Sequence, residues 1–506
     1  MDRLINDFDI MTWKYTILYT GVAVGFGYAL YKWYTNSLRL IPGPRGLPIL
    51  GITPYMDIKH FHVQLNEYAK EYGPVCRIDL LGESVILVTG KDAIDEVLST
   101  KQNDFSDRLQ TFRTSLAMNE NEVTGFMNDT PEFREIKKQI YKSLKTYGDG
   151  MNKVENIMEE VLTDLMKDIR NEEKTSVNFS LKLQYTLTTV ITSLIFAQRV
   201  HEKDIIRTIG LVDKTSKSFF NLSSILLDVM PWLRFFGNKA YQTLKSSRMS
   251  IDQTFDPTIE DLKNSIDENR IRNFVDSFYL NCEKSSLQLS HSLLANNVKG
   301  LIIAGYLTSS SILYTLLLLL MKHRDIEDKI VREIITYIGT NRLPKMEDRE
   351  KMPYTEASIL EALRYISNVP IALPHVAKNT STISQFKIEK GTQIWVNLWG
   401  LHHSEEIWGD PFTFRPERFL AEDGSLLPLD SKLRKCLMAF GAGRRFCVGK
   451  NLAMHRIFLI LTAVLQNFRL EIPNNTELVD LDCRKFEFGL VVAASAMPLK
   501  FIPRNL

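Results

Sequence analysis

One stretch of this 506-residue chain concentrates chemistry: Phe440-Gly441-Ala442-Gly443-Arg444-Arg445-Phe446-Cys447-Val448-Gly449. It sets a lone cysteine in a glycine-rich loop flanked by arginines, just ahead of a helical pattern that begins near Asn451. Glycines permit positive φ and a close approach of the backbone to a flat ligand. A helix N-terminus beyond the cysteine, together with nearby cations, favours thiolate over thiol. A thiolate is a strong donor of the kind a haem iron takes on its axis. The competing reading of Cys447 is a buried structural thiol. The other cysteines, Cys76, Cys282, Cys436 and Cys483, form no C-x-x-C pair. That argues against a disulfide scaffold or a four-cysteine zinc site and for individual thiols in a reducing compartment.

Two further patterns carry reactive groups. Glu361-Ala362-Leu363-Arg364 places opposite charges three apart on one helical face, where an exposed pair would be worth a few tenths of a kcal/mol. Residues 300–321 hold no formal charge and are long enough to span a bilayer, yet four hydroxyls, Thr308 to Ser311, lie in the middle. A helix buried at the centre of a large domain is the expected form. Elsewhere the chain is dominated by helical spacing, as in Val154, Ile157, Val161, Leu165 and Ile169. Short β-rich runs over 84–88 and 393–396 predict strands. No repeat, low-complexity tract or polar linker follows Pro48, so one large, mainly helical domain is expected over 49–506.

The loop satisfies F-x-x-G-x-R-x-C-x-G at Phe440, Gly443, Arg445, Cys447 and Gly449, and at this point the chain resembles the cytochrome P-450 family of haem-thiolate monooxygenases. The resemblance runs through nearly the whole chain. It implies the P-450 fold, mainly α with small β-sheets, and haem b (iron protoporphyrin IX) ligated by Cys447. It also implies a buried network of Glu361, Arg364 and Arg418, the last from Pro416-Glu417-Arg418-Phe419, supporting the loop. Arg445, His375 in Leu373-Pro374-His375 and Arg108 in Phe105-Ser106-Asp107-Arg108 match positions that bind haem propionates in animal microsomal members. Where the family has W-x-x-x-R, this chain has Phe133 and Lys137. The first lacks an indole N–H and the second is a point cation instead of a planar fork.

The family's A/G-G-x-D/E-T segment reads Ala304-Gly305-Tyr306-Leu307-Thr308 here. Small residues would let the helix lie against the haem, and the Thr308 hydroxyl would serve the dioxygen site; the bland alternative is a hydroxyl bonded back to its own helix. Leu307 replaces an acid whose proton-relay role is usually worth about 10²-fold or more. By similarity, residues 112–126, 369–373 and 488–492 line a substrate cavity. Phe219, Phe220, Met230, Trp232, Phe235 and Phe236 form an apolar segment that in the family roofs the cavity and touches the membrane, with core packing as the rival reading.

Composition and termini set the surroundings. Lys+Arg 62 against Asp+Glu 60 leaves a net charge of +2, which offers nucleic acid no global attraction. Residues 15–31 form an uncharged 17-residue run flanked by Trp13, Trp33 and Tyr34. The acidic residues before it speak against a cleaved signal peptide, so residues 1–35 read as a single-pass anchor and residues 36–48, with three prolines, as a stiff hinge. Positive charge after the span points the body to the cytosol, and the resemblance implies the endoplasmic reticulum membrane. No dinucleotide fingerprint is present, so NADPH electrons would come through a separate flavoprotein reductase, with cytochrome b5 as a possible second donor. Lys138, Lys142 and Lys145, with Arg434, Lys435, Arg444, Lys450 and Arg456, would form the docking face. The resemblance makes a lipophilic small molecule the substrate, to receive one oxygen atom from O2. Leu307 leaves open an isomerase, a dehydratase or a peroxide-driven enzyme, and a non-catalytic haem or lipid carrier is the reading from another class.

Overall fold

The computed structural model describes residue 27 and residues 37–119, 122–146, 151–172 and 176–504. Apart from residue 27, the expected anchor at 1–35 lies outside the described residues. The proline-rich stretch lies against the body. Leu38 and Ile41 are buried, and the Pro42 carbonyl accepts the Arg77 N–H at 2.7 Å.

The chain runs through helix α1 (Phe61–Tyr72), strands β1 (Val75–Leu80), β2 (Glu83–Val88) and β3 (Asp107–Arg108), and then a long helical region. Its main members are α2 (Pro131–Thr146), α3 (Met151–Asn171), α4 (Phe179–Phe196), α5 (Glu202–Phe219), α6 (Lys239–Asn264), α7 (His291–Lys322) and α8 (Pro353–Ile366). Strands β4 (His375–Val376) and β5 (Gln393–Val396), the short α9 (Leu398–His402) and α10 (Lys450–Asn467) complete the frame. The strands form one five-stranded sheet in the order β1-β2-β5-β4-β3, with β2 and β5 parallel. Two small hairpin sheets, 381–383 with 386–388 and 468–471 with 500–503, stand apart from it. In the β3–β4 ladder Arg108 lies opposite His375, which sets two candidate ligand-binding side chains next to each other.

Helix α7 runs 32 residues. The Ser290 side chain accepts the Leu293 N–H at 3.0 Å and so satisfies one of the free donors at its start. It is the one helix among the described residues long and apolar enough to cross a membrane, but about two thirds of its most apolar stretch (67%) is buried by other helices. It packs against α4, α8 and α10. Some buried hydroxyls in this core bond back along their own helices, as Thr192 does to the Thr188 carbonyl at 2.8 Å.

Candidate functional site

The cysteine loop is shaped by glycine at two positions. Gly443 has φ +58°, and a Cβ there would stand 1.8 Å from the Leu98 carbonyl oxygen. Gly441 has φ +66°. Gly449 adopts an ordinary φ of −89° at the start of α10, so positive φ is not what it contributes. Its N–H and that of Lys450 instead point to the Cys447 sulfur. The Cys447 N–H donates to the Phe440 carbonyl at 2.9 Å and closes the loop.

Cys447 has exposed surface, yet protein encloses it on most sides. That surface therefore borders an internal hollow. Ala304 likewise has exposed surface in the middle of buried α7, between Ile302 and Tyr306, which are fully buried. Burial pushes the Cys447 thiol up, against the opposing pull of the Gly449 N–H, Lys137 and Arg456. The loop and helix terminus alone therefore do not deliver the thiolate expected above. A haem iron held by Cys447 would supply the positive charge that favours the thiolate.

Four further groups crowd the hollow's edge. Arg108 is buried and donates through Nε to the Gly125 carbonyl at 3.1 Å and through Nη1 to the Leu373 carbonyl. Arg445 donates to the carbonyls of Ser106 and Met127 at 2.5 and 2.6 Å. Lys137 donates to the carbonyls of Arg444 and Phe446 at 2.5 and 2.9 Å. The His375 Nδ1 lies 2.6 Å from the Phe105 carbonyl oxygen and so carries the proton there. Burial and the neighbouring Arg445 depress Arg108. Burial, then Arg445 and Arg108, bring Lys137 down to about 8, and burial with Arg108 depresses His375. Among the described residues no carboxylate forms an ion pair with Arg108, Lys137, Arg445 or His375. Such a concentration of buried positive charge calls for an anion with several oxygens, and two propionates beside a thiolate axial ligand meet that requirement. The residues present fit haem.

Phe133, in place of the family's tryptophan, presents its ring face to Arg445 at 3.8 Å. Gly305 faces away from the hollow: a Cβ there would meet Ile191 of α4 at 3.4 Å and the Arg456 guanidinium at 3.8 Å. Its smallness serves that packing, and Ala304 is the small residue at the hollow. The Thr308 hydroxyl donates to the Ala304 carbonyl at 2.8 Å, the back-bonded arrangement, which leaves its oxygen lone pairs for a donor from the hollow. Leu307 brings no acid beside it and packs on the apolar core.

Behind the loop lies the charge network. Glu361 takes two bonds from Arg364, at 2.7 and 2.8 Å, and one from Arg418 at 3.2 Å, all with buried side chains. Arg364 also donates to the His402 carbonyl at 2.9 Å, and the His402 Nε2 accepts the Met438 N–H at 3.1 Å. These bonds run from α8 through α9 to the approach of the cysteine loop. Sequence patterns carried no signal for His402, because a histidine at a helix end does not reveal which backbone it will meet.

The basic groups divide. Lys138, Lys145, Lys435 and Lys450 are exposed. Arg444 is ion-paired with Asp129 at 2.5 Å, and Arg456 is buried, turned from the surface toward α7. The expected docking face therefore loses Arg456. Leu373 lies 3.8 Å from the place of a Gly125 Cβ, Phe220 meets Phe488 edge-on at 5.0 Å, and the Val492 N–H bonds the Asn368 carbonyl at 2.8 Å. The segment 369–373 thus meets 112–126, and 488–492 is tied beside it. Trp232, Phe235 and Phe236 are 54%, 73% and 77% exposed, so core packing does not account for them.

The family model for Cytochrome P450 matches residues 41–501. Among curated relatives, rabbit (Oryctolagus cuniculus) cytochrome P450 2C16 is 31% identical over 94% of this chain and 96% of its own. The steroid 17-alpha-hydroxylase/17,20 lyase of the frog Rana dybowskii is 28% identical over 90% of this chain and 89% of its own. The human protein of that name is 29% identical over 86% and 87%. With a family model spanning almost all of the described body and relatives of the animal microsomal type matched from end to end, the chain belongs to the cytochrome P450 family of haem monooxygenases.

Proposed function

We propose that this protein is anchored through residues 1–35 in the endoplasmic reticulum membrane with its body in the cytosol, and inserts one oxygen atom from O2 into a lipophilic steroid, lipid or foreign compound. The electrons come from NADPH through a separate flavoprotein reductase, with cytochrome b5 as a second donor. The observation that carries the reading is the pairing of Cys447, which has exposed surface, with an anion-seeking cluster of Arg108, Lys137, His375 and Arg445. Haem held there supplies reductive activation of O2, which a thiolate ligand promotes by electron donation.

The protein's own groups bind and orient. Arg108, His375, Lys137 and Arg445 hold the propionates. Ala304 would leave room for the haem, and the Thr308 hydroxyl, bonded to the Ala304 carbonyl, keeps its lone pairs for a donor. The apolar segments at 112–126, 369–373 and 488–492 exclude water and select greasy molecules. Exposed Trp232, Phe235 and Phe236 lie where such molecules enter from the lipid. Lys138, Lys145, Lys435 and Lys450 steer an acidic electron donor.

Leu307 favours a second reading, an isomerase, dehydratase or peroxide-driven reaction that needs no relayed proton. Reconstitution with reductase and NADPH separates the two. Substrate-dependent NADPH consumption with oxygenated product is the expected result; product from peroxide or from substrate alone would establish the second.

A further inference from the structure

Arg456 lies nine residues beyond Cys447 on α10 and is 1% exposed. Its Nη2 donates to the Gly305 carbonyl of α7 at 2.9 Å and to the Ser309 hydroxyl at 3.3 Å. Its Nε donates to the Leu452 carbonyl at 3.2 Å. Its Nη1 is buried without an acceptor. Among the described residues no carboxylate forms an ion pair with it, and the ionisable group within its electrostatic reach is the Cys447 sulfur.

A guanidinium keeps its charge in a protein, and burying one without a carboxylate is costly. Its neutral partners do not offset that cost, so the charge calls for an anion nearby. The Cys447 sulfur becomes such an anion when it ligates a metal. In a dry interior that attraction is stronger than at a surface, and it acts on the electron-rich side of the ligand–metal bond. The same side chain reaches into the hydrogen-bond ladder of α7 at Gly305, one residue from Ala304.

We propose that Arg456 is a positioning residue with two tasks: its buried charge, set between the cysteine-loop helix and α7, raises the reduction potential of the haem, and its bonds to Gly305 and Ser309 fix the distance between the cysteine loop and the oxygen-side helix. The proposal rests on the haem–Cys447 reading above. The holoprotein's red-shifted Soret band under carbon monoxide checks that reading independently, because its absence in the unaltered protein would sink the reading before any variant is made.

The test is redox titration of the unaltered holoprotein, R456Q, R456K and R456H. In R456Q the ferric-to-ferrous ratio at a fixed potential should rise about tenfold, a fall of about 59 mV for one electron. R456K, which keeps the charge, should stay within about twofold (~18 mV) of the unaltered protein. R456H should approach R456K at low pH and R456Q at high pH. A potential in R456Q within twofold of the unaltered protein overturns the proposal. If R456Q and R456H fail to retain haem while R456K retains it, the charge requirement stands. If all three lose haem, Arg456 is a packing element and the proposal fails.

Discussion

The sulfur of Cys447 differs from the other four thiols in one respect that matters: it borders the hollow, whereas Cys76, Cys282, Cys436 and Cys483 are buried. Cys447→Ser should abolish the red-shifted Soret band of the reduced carbon monoxide complex, and Cys436→Ser should leave it in place; a spectrum of each purified variant decides this. Arg108 is buried with only carbonyls for partners, so it gains most from an anionic ligand. A charge-assisted hydrogen bond is worth about 1.5–3 kcal/mol, so Arg108→Leu should weaken haem retention by roughly 10- to 100-fold, read from haem transfer to an apo-acceptor. The cysteine-loop motif made Cys447 and Arg445 visible in the sequence, and the resemblance of Phe105-Ser106-Asp107-Arg108 and Leu373-Pro374-His375 to the family pointed to Arg108 and His375. The direction in which Gly305 faces was not visible, because helical register states which residues share a face and not which neighbour covers that face.

At the scale of elements, the loop depends on backbone conformation more than on side chains. Gly443→Ala meets both a positive φ and the Leu98 carbonyl, whereas a Cβ on Gly449 would lie an ordinary 3.9 Å from the Cys447 sulfur. Expression of both variants should therefore give little haem-bearing protein for Gly443→Ala and near-normal loading for Gly449→Ala. In α7, Leu307 denies Thr308 a neighbouring acid while its hydroxyl bonds Ala304. Leu307→Asp should lower the peroxide released per NADPH consumed; an unchanged ratio would mean that water or a substrate hydroxyl already relays the proton. Helix α7 shows why hydropathy alone misleads. Its composition suits a membrane span, and the packing of α4, α8 and α10 around it makes it the centre of the domain.

Across the whole molecule, buried histidines link stability to pH. Burial brings both His62 and His402 from 6.5 down to about 3. The folded state keeps them neutral while the unfolded chain protonates them below 6.5. Their contribution is thus fully present above that value and is lost as pH falls toward 3, at roughly 1.4 kcal/mol per pH unit for each group. Thermal unfolding between pH 7 and 5 should show a falling midpoint, and His402→Gln should flatten the slope. His402 is also a link between the Glu361–Arg364–Arg418 network and the cysteine loop, a connection spanning residues 361 to 447 that no local pattern announces. The sequence alone determined the helical class and the loop around Cys447, since spacing and residue type are local properties of the chain, and its resemblance to a family pointed to the anion-seeking groups. Tertiary packing alone decided that Arg456 leaves the basic surface for the core, that Trp232, Phe235 and Phe236 stay outside it, and which carbonyl each buried cation meets. Those outcomes depend on what surrounds a residue in space, and neighbours are set by how the helices close on one another.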